Sequence, residues 1–188
     1  GAGSAEGVMA SVCNLGLIPG EFTGSVPPGT PFEMGEGVAC LTDPGPASSH
    51  LLTSMFLHGG WLHILSNMWC LWIFGDNVED FLGRWRFALL ILAATVTGDI
   101  VHVLLKPDSM IPCIGASGGI SGVIVFYALQ FPRARLSFLY RRYYGWGYNW
   151  WGIPAWAALA LWLLLQTYVV VMEFSGFSNS EKYHVAAD

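Results

Sequence analysis

A serine, two histidines and an asparagine stand at the mouths of apolar runs in this chain of 188 residues. Ser117 lies among small residues in Gly115-Ala116-Ser117-Gly118, ahead of Gly119-Ile120-Ser121-Gly122-Val123-Ile124-Val125-Phe126. Upstream, His58-Gly59-Gly60-Trp61-Leu62-His63-Ile64-Leu65-Ser66-Asn67 opens another such run. Polar groups of this kind are costly to bury in lipid and mark a functional site by default. A serine held at the floor of a wet pocket is what a hydrolase needs.

The elements that must position these residues are membrane helices. Hydrophobic residues make up 54% of the chain and charged residues 11%, with a mean hydropathy of +0.50. A soluble domain carries about 25% charged residues, so the composition suits lipid. The net charge of -5 and the lack of a basic stripe give no support for nucleic-acid binding. The expected fold is all-α, one polytopic membrane helix bundle. Residues 1–60 read as an extracytoplasmic loop region, rich in Gly, Pro, Ser and Thr, with turn chemistry at Pro27-Pro28-Gly29 and Asp43-Pro44-Gly45-Pro46. No signal peptide is visible in the opening residues. Residues 61–188 form the core, with apolar segments at about 61–74, 85–105, 117–131 and 150–172. The second and fourth are long enough to span a core of ~30 Å. The third is short, so its start lies below the membrane surface and residues 107–116 dip into the bilayer. Irregular backbone is tolerated there only inside protein or beside a water-filled cavity.

Six of the eight cations, Arg84, Arg86, Arg133, Arg135, Arg141 and Arg142, follow the first and third segments. The positive-inside rule makes those loops cytoplasmic, which sets the tips carrying His58, His63 and Ser117 together on the outer side. Gly115 and Gly119, like Gly118 and Gly122, are spaced four apart, which lets a second helix approach closely. Gly118 can equally give a substrate room. Of the four cysteines, Cys70 reads as a buried apolar residue, and no zinc spacing occurs. Cys13 and Cys40 can form a disulfide if their loop faces an oxidising compartment, but sequence leaves the pairing open.

Gly115-Ala116-Ser117-Gly118-Gly119 fits the G-x-S-x-G pattern, yet that motif requires a strand before the serine, and a Pro-containing dip stands there instead. A better match comes from Leu15-Gly16-Leu17-Ile18-Pro19, Ser54-Met55-Phe56-Leu57-His58-Gly59-Gly60-Trp61-Leu62-His63 with Asn67, Trp72-Ile73-Phe74-Gly75-Asp76-Asn77-Val78-Glu79-Asp80, Gly115-Ala116-Ser117-Gly118, Phe131-Pro132-Arg133-Ala134-Arg135 and Ile153-Pro154-Ala155-Trp156. In order and spacing these strings resemble the rhomboid family of intramembrane serine proteases.

The resemblance implies that Ser117 is the nucleophile, which needs a general base to take its proton. It implies that His63 and Asn67, four apart on one helix face, stabilise the oxyanion with the Ser117 backbone N–H. His58 resembles a further histidine near the site, and Gly115 and Gly118 flank the nucleophile. No metal or cofactor is needed. His50 and His102 receive no role, and Ser121 reads as packing. Asp99, unusual in an apolar segment, is expected to face the bundle and find a hydrogen-bond partner. Asp76, Glu79 and Asp80 are expected at the cytoplasmic boundary near Arg84 and Arg86.

The family's base is a histidine in an Ala-His-x-x-Gly-like pattern on a final helix, and the resemblance sets it beyond Asp188; His184 does not match that pattern. The family's first membrane helix, before Leu15, is likewise not represented. The expected function is cleavage of transmembrane protein substrates near the outer face of a bacterial plasma membrane. The alternative is a non-catalytic rhomboid fold that scaffolds a membrane complex. A transporter fits less well, since no inverted repeat is visible.

Overall fold

The computed structural model describes residues 2–33, 39–42, 47–141, 148–168 and 171. His184, Arg142, the turn at 43–46 and the end of the fourth apolar segment at 172 lie outside the described residues. The chain divides into two compact units, Gly1–Phe126 and Tyr127–Asp188.

The first unit opens with α1 (Ala2–Leu15) and α2 (Pro19–Thr23). Pro19 suits a first helical position, since its missing N–H would be unpaired there anyway. Gly24 ends α2 at φ 72°, a left-handed conformation that favours glycine. An antiparallel hairpin follows, β1 (Pro31–Glu33) with β2 (Ala39–Leu41), Phe32 opposite Cys40. Cys13 and Cys40 are joined in a disulfide, their Cα atoms 5.7 Å apart. The pairing that the sequence leaves open therefore ties α1 to β2. A short turn of helix, α3 (His50–Thr53), is flanked by 3₁₀ turns at Ala47–Ser49 and Ser54–Phe56.

Two 22-residue helices then run in succession, α4 (Trp61–Leu82) and α5 (Arg84–Leu105), joined through Gly83 alone at φ 78°. The apolar run expected to end at Phe74 continues as helix for two more turns. A helix needs backbone bonds and not apolar side chains, so Asp76, Asn77 and Asp80 simply face outward there. Gly75 permits this close to α5: a Cβ on it would meet the Phe87 ring at 3.3 Å. At the turn the Arg84 Nε lies 4.0 Å from Glu79 Oε1. Such an exposed pair contributes little, about 0–1 kcal/mol.

Among the described residues one helix, α5, is long and apolar enough to cross a membrane, and 17% of its apolar window is buried. A core helix of a soluble protein would be mostly covered. Thr95, Asp99 and Val103, spaced four apart, form its buried stripe, while Leu89, Val101, Leu104 and Leu105 are exposed. On α4, Trp61, Leu62, Leu65, Trp69 and Trp72 are exposed as well. Apolar area of this extent is unfavourable in water, at about 25 cal/mol per Å².

Residues 106–116 are irregular, and several of their backbone groups are met by protein. Thr23 Oγ1 donates to Pro107 O at 2.8 Å, and the Gly20 N–H to Ser109 O at 2.9 Å. Leu17 and Cys113 exchange both backbone bonds, at 2.7 and 3.2 Å. The segment 17–23 thus runs alongside residues 107–113 and pairs with their backbone groups. Leu17 and Ile18 are fully buried.

α6 (Ser117–Gln130) starts in the first unit and carries into the second. Within the second unit β3 (Arg135–Arg141) pairs antiparallel with β4 (Tyr148–Pro154), Arg135 opposite Pro154. The helix α7 (Ala155–Tyr168) follows. The fold is mostly helical, with two β-hairpins that an all-α expectation does not contain. The segment expected to be helical from about Trp150 begins as strand instead. Pro154 accounts for the boundary: the residue before a proline is pushed out of the α region, so helix cannot extend back through Ile153.

Candidate active site

Three elements bring the polar groups together: the loop before α4, the first turns of α4, and the end of the dip at Gly115. α4 begins at Trp61, so His63 and Asn67 lie one turn apart near its start. The Gly59 N–H points at His63 Nδ1, 3.3 Å away. A backbone N–H can only donate, so this contact assigns Nδ1 as acceptor and places the ring proton on Nε2. His63 therefore presents a donor on its far side.

That far side faces Gly115. This glycine has φ 116°, a conformation that L side chains rarely adopt. A Cβ on it would lie 2.8 Å from both His63 Nε2 and Cε1, and 3.8 Å from Asn67 Nδ2. Glycine is needed here for two reasons, backbone angle and space. The Gly115 N–H is held by the Ser54 carbonyl at 2.9 Å. Asn67 is 3% exposed, and its Nδ2 is buried without a hydrogen-bond partner among the described residues. An unpaired buried donor costs about 1–3 kcal/mol. Such a group is worth an explanation, and a donor reserved for a transient anion is one.

His58 stands beside His63, ring centroids 5.1 Å apart and edge to face. Its Nδ1 lies 3.3 Å from the Phe56 carbonyl, which can only accept, so the proton sits on Nδ1. Ser117 opens α6 two residues after Gly115, half-buried, with its carbonyl accepting from Ser121 Oγ at 2.7 Å.

The glycines after Ser117 face α5. A Cβ on Gly118 would be 3.5 Å from the Thr95 Cα, and one on Gly119 would be 2.7 Å from Thr95 Oγ1 and 2.9 Å from Ile91 Cγ2. One on Gly122 would overlap the Ala94 Cβ. Gly98 of α5 returns the contact, since a Cβ on it would lie 3.7 Å from the Gly118 Cα. Gly118 thus lies on the packing side of its helix, and α6 is held against α5 at close range.

Asp99 faces inward from α5 and is 8% exposed. Ser54 Oγ donates to its Oδ2 at 3.2 Å, and Cys113 Sγ to its Oδ1 at 3.9 Å. Ser54, Cys113 and Thr95 make contacts around these residues that the sequence does not single out. The signal for a partner was the carboxyl in an apolar run; nothing local to it said which residues would answer. Among the described residues no group of three or more His, Cys, Asp or Glu is gathered to hold a metal ion.

The rhomboid domain model matches residues 47–181, most of the chain. Over 74 residues the chain is 42% identical to the rhomboid protease GluP of Bacillus subtilis (strain 168), covering 39% of this chain and 14% of that one. It is 32% identical over 88 residues to the presenilin-associated rhomboid-like protein A, mitochondrial, of Danio rerio, covering 46% and 23%. With rhomboid protein 1, mitochondrial, of Saccharomyces cerevisiae it shares 29% identity over 90 residues, covering 46% and 26%. The chain therefore spans a minor part of the length of these relatives. No solved structure matches it significantly.

Proposed function

The chain belongs to the rhomboid family, and on that premise we propose that it is the core of an intramembrane serine protease acting on transmembrane protein substrates. Ser117 Oγ attacks the scissile carbonyl carbon as a general base takes the hydroxyl proton. The carbonyl π electrons move onto oxygen, and that oxyanion is met by donors. The base then returns the proton to the leaving amine as the C–N bond breaks. Water hydrolyses the acyl-enzyme by the same route. By the family resemblance that base is a histidine.

One observation carries this reading. Gly115 brings the backbone just ahead of Ser117 against two donors, His63 Nε2–H and Asn67 Nδ2, the second of them unpaired among the described residues. A packing role alone would not favour a buried, unpaired amide beside a glycine at φ 116°.

The same reading makes the chain a polytopic membrane helix bundle, with the α4–α5 turn and the segment after α6 cytoplasmic by the placement of nearby arginines. The Cys13–Cys40 disulfide supports that orientation, because it puts α1 and β2 on an oxidising side.

The test is labelling of the natural full-length protein with a fluorophosphonate probe, comparing wild type with Ser117→Ala. Labelling that vanishes in the variant is expected. Folded wild-type protein that takes no label would instead favour a non-catalytic rhomboid fold serving as a scaffold in a membrane complex.

A further inference from the structure

From the contacts around Asp99 we infer that this residue is a positioning residue for the oxyanion site, acting through Ser54 and Cys113 on the Gly115 backbone. The inference rests on the protease reading given above. Asp99 touches none of the proposed reacting groups. Its two carboxyl oxygens receive two donors from different parts of the chain: Ser54 Oγ at 3.2 Å from the turn before α4, and Cys113 Sγ at 3.9 Å from the dip.

Both donors belong to residues that grip the same short stretch. Ser54 accepts the Gly115 N–H on its carbonyl at 2.9 Å, while Cys113 lies two residues before Gly115 and is paired with Leu17 on both backbone groups. Fixing the Ser54 side chain fixes the carbonyl that orients Gly115. Fixing the Cys113 side chain sets where the stretch leaves its bridge to Leu17. Gly115 is the residue whose Cα faces His63 and Asn67. Asp99 lies one residue after Gly98 and four after Thr95, which face Gly118 and Gly119 of α6. One turn of α5 therefore carries both the helix contact that seats α6 and the carboxyl that aligns the approach to it.

A buried carboxyl is an expensive way to fill space in an apolar helix, and replacing it together with its polar partners by apolar groups of the same shape can be nearly neutral or stabilising. Its retention here makes sense if geometry is what it supplies. A displacement of about 1 Å in a catalytic constellation can cost on the order of 100-fold in rate.

The experiment uses the natural full-length protein with Asp99→Leu, Asp99→Asn and Ser54→Ala, reading fluorophosphonate labelling of Ser117 and hydrogen exchange at the Gly115 amide. Asp99→Leu leaves the buried Ser54 hydroxyl without its acceptor and is expected to fold with a melting temperature lowered by a few degrees. Its labelling rate constant should fall on the order of 10- to 100-fold without loss of probe affinity, and the Gly115 amide should exchange faster. Asp99→Asn keeps an acceptor for Ser54 and should recover most of the rate. Ser54→Ala should reproduce part of the loss and be non-additive with Asp99→Leu. If Asp99→Leu does not fold, Asp99→Asn and Ser54→Ala carry the same comparison. Unchanged exchange at Gly115 in these variants overturns the inference. Wild-type protein that takes no label would sink the protease reading instead, while the exchange measurement still decides whether Asp99 orders this backbone.

Discussion

Replacing Gly115 by alanine tests the candidate site at its tightest point. Two costs follow from its position. At φ 116° an alanine is strained, by about 1–3 kcal/mol for such a conformation. Its Cβ would also sit 2.8 Å from His63 Nε2 and Cε1. Reaching ordinary van der Waals distance requires the imidazole to retreat by roughly half an ångström. His63 is held on its other side by the Gly59 N–H, so the retreat strains that contact or tilts the ring away from the oxyanion. Complete loss of one oxyanion donor costs about 10²–10³ in rate; a displaced donor should lie near the lower end, on the order of 10²-fold. The backbone strain should lower the melting temperature by roughly 5 °C, at about 2–4 °C per kcal/mol for a domain of this size. The assay is the fluorophosphonate labelling rate of the full-length protein, run beside a thermal melt. Gly98→Ala is the control: its Cβ would meet only the Gly118 Cα, at 3.7 Å. Alanine in a helix interior should gain about 0.5–1 kcal/mol over glycine. A Gly115→Ala protein that labels and melts like wild type would refute the reasoning.

Further substitutions probe the remaining contacts. Asn67→Ala should cut labelling on the order of 10²-fold, as expected for a lost oxyanion donor, and leave stability unchanged or raised, because the amide it removes has no partner in the resting site. A fall in both together would make Asn67 a structural residue. Gly119→Ala should destabilise the protein by about 1–3 kcal/mol through overpacking, since its Cβ would press on Thr95 and Ile91; a melting temperature equal to that of Gly98→Ala would show that α6 and α5 are not in close contact. Cys13→Ser opens a loop closed across 27 residues, worth about 3–4 kcal/mol by the chain-entropy estimate. It should lower the melting temperature in oxidising buffer and make it insensitive to dithiothreitol, and a wild-type protein equally insensitive would exclude the disulfide.

Much of this molecule is a matter of local chemistry, and sequence alone is enough for it. Apolar runs with few charges locate α4, α5 and α6 because helix formation and burial are properties of neighbouring residues. His63 and Asn67 are legible as a pair because four residues make about one turn. The irregular dip before Ser117 is legible because a proline and a short following run leave no room for another full helix. The remainder depends on residues distant in the chain, where no local pattern speaks. Asp99 announces a need for a partner, but Ser54, 45 residues away, answers it only once α3 and α5 have packed. Cys13 acquires Cys40 as its partner through the hairpin that carries Cys40. Pro154 keeps helix from the residues just before it, and pairing with β3 makes them a strand. The contact of Gly115 with His63 and Asn67 is tertiary in the same sense. A glycine in sequence states only that the backbone has freedom, and the packing of the dip against α4 turns that freedom into a site.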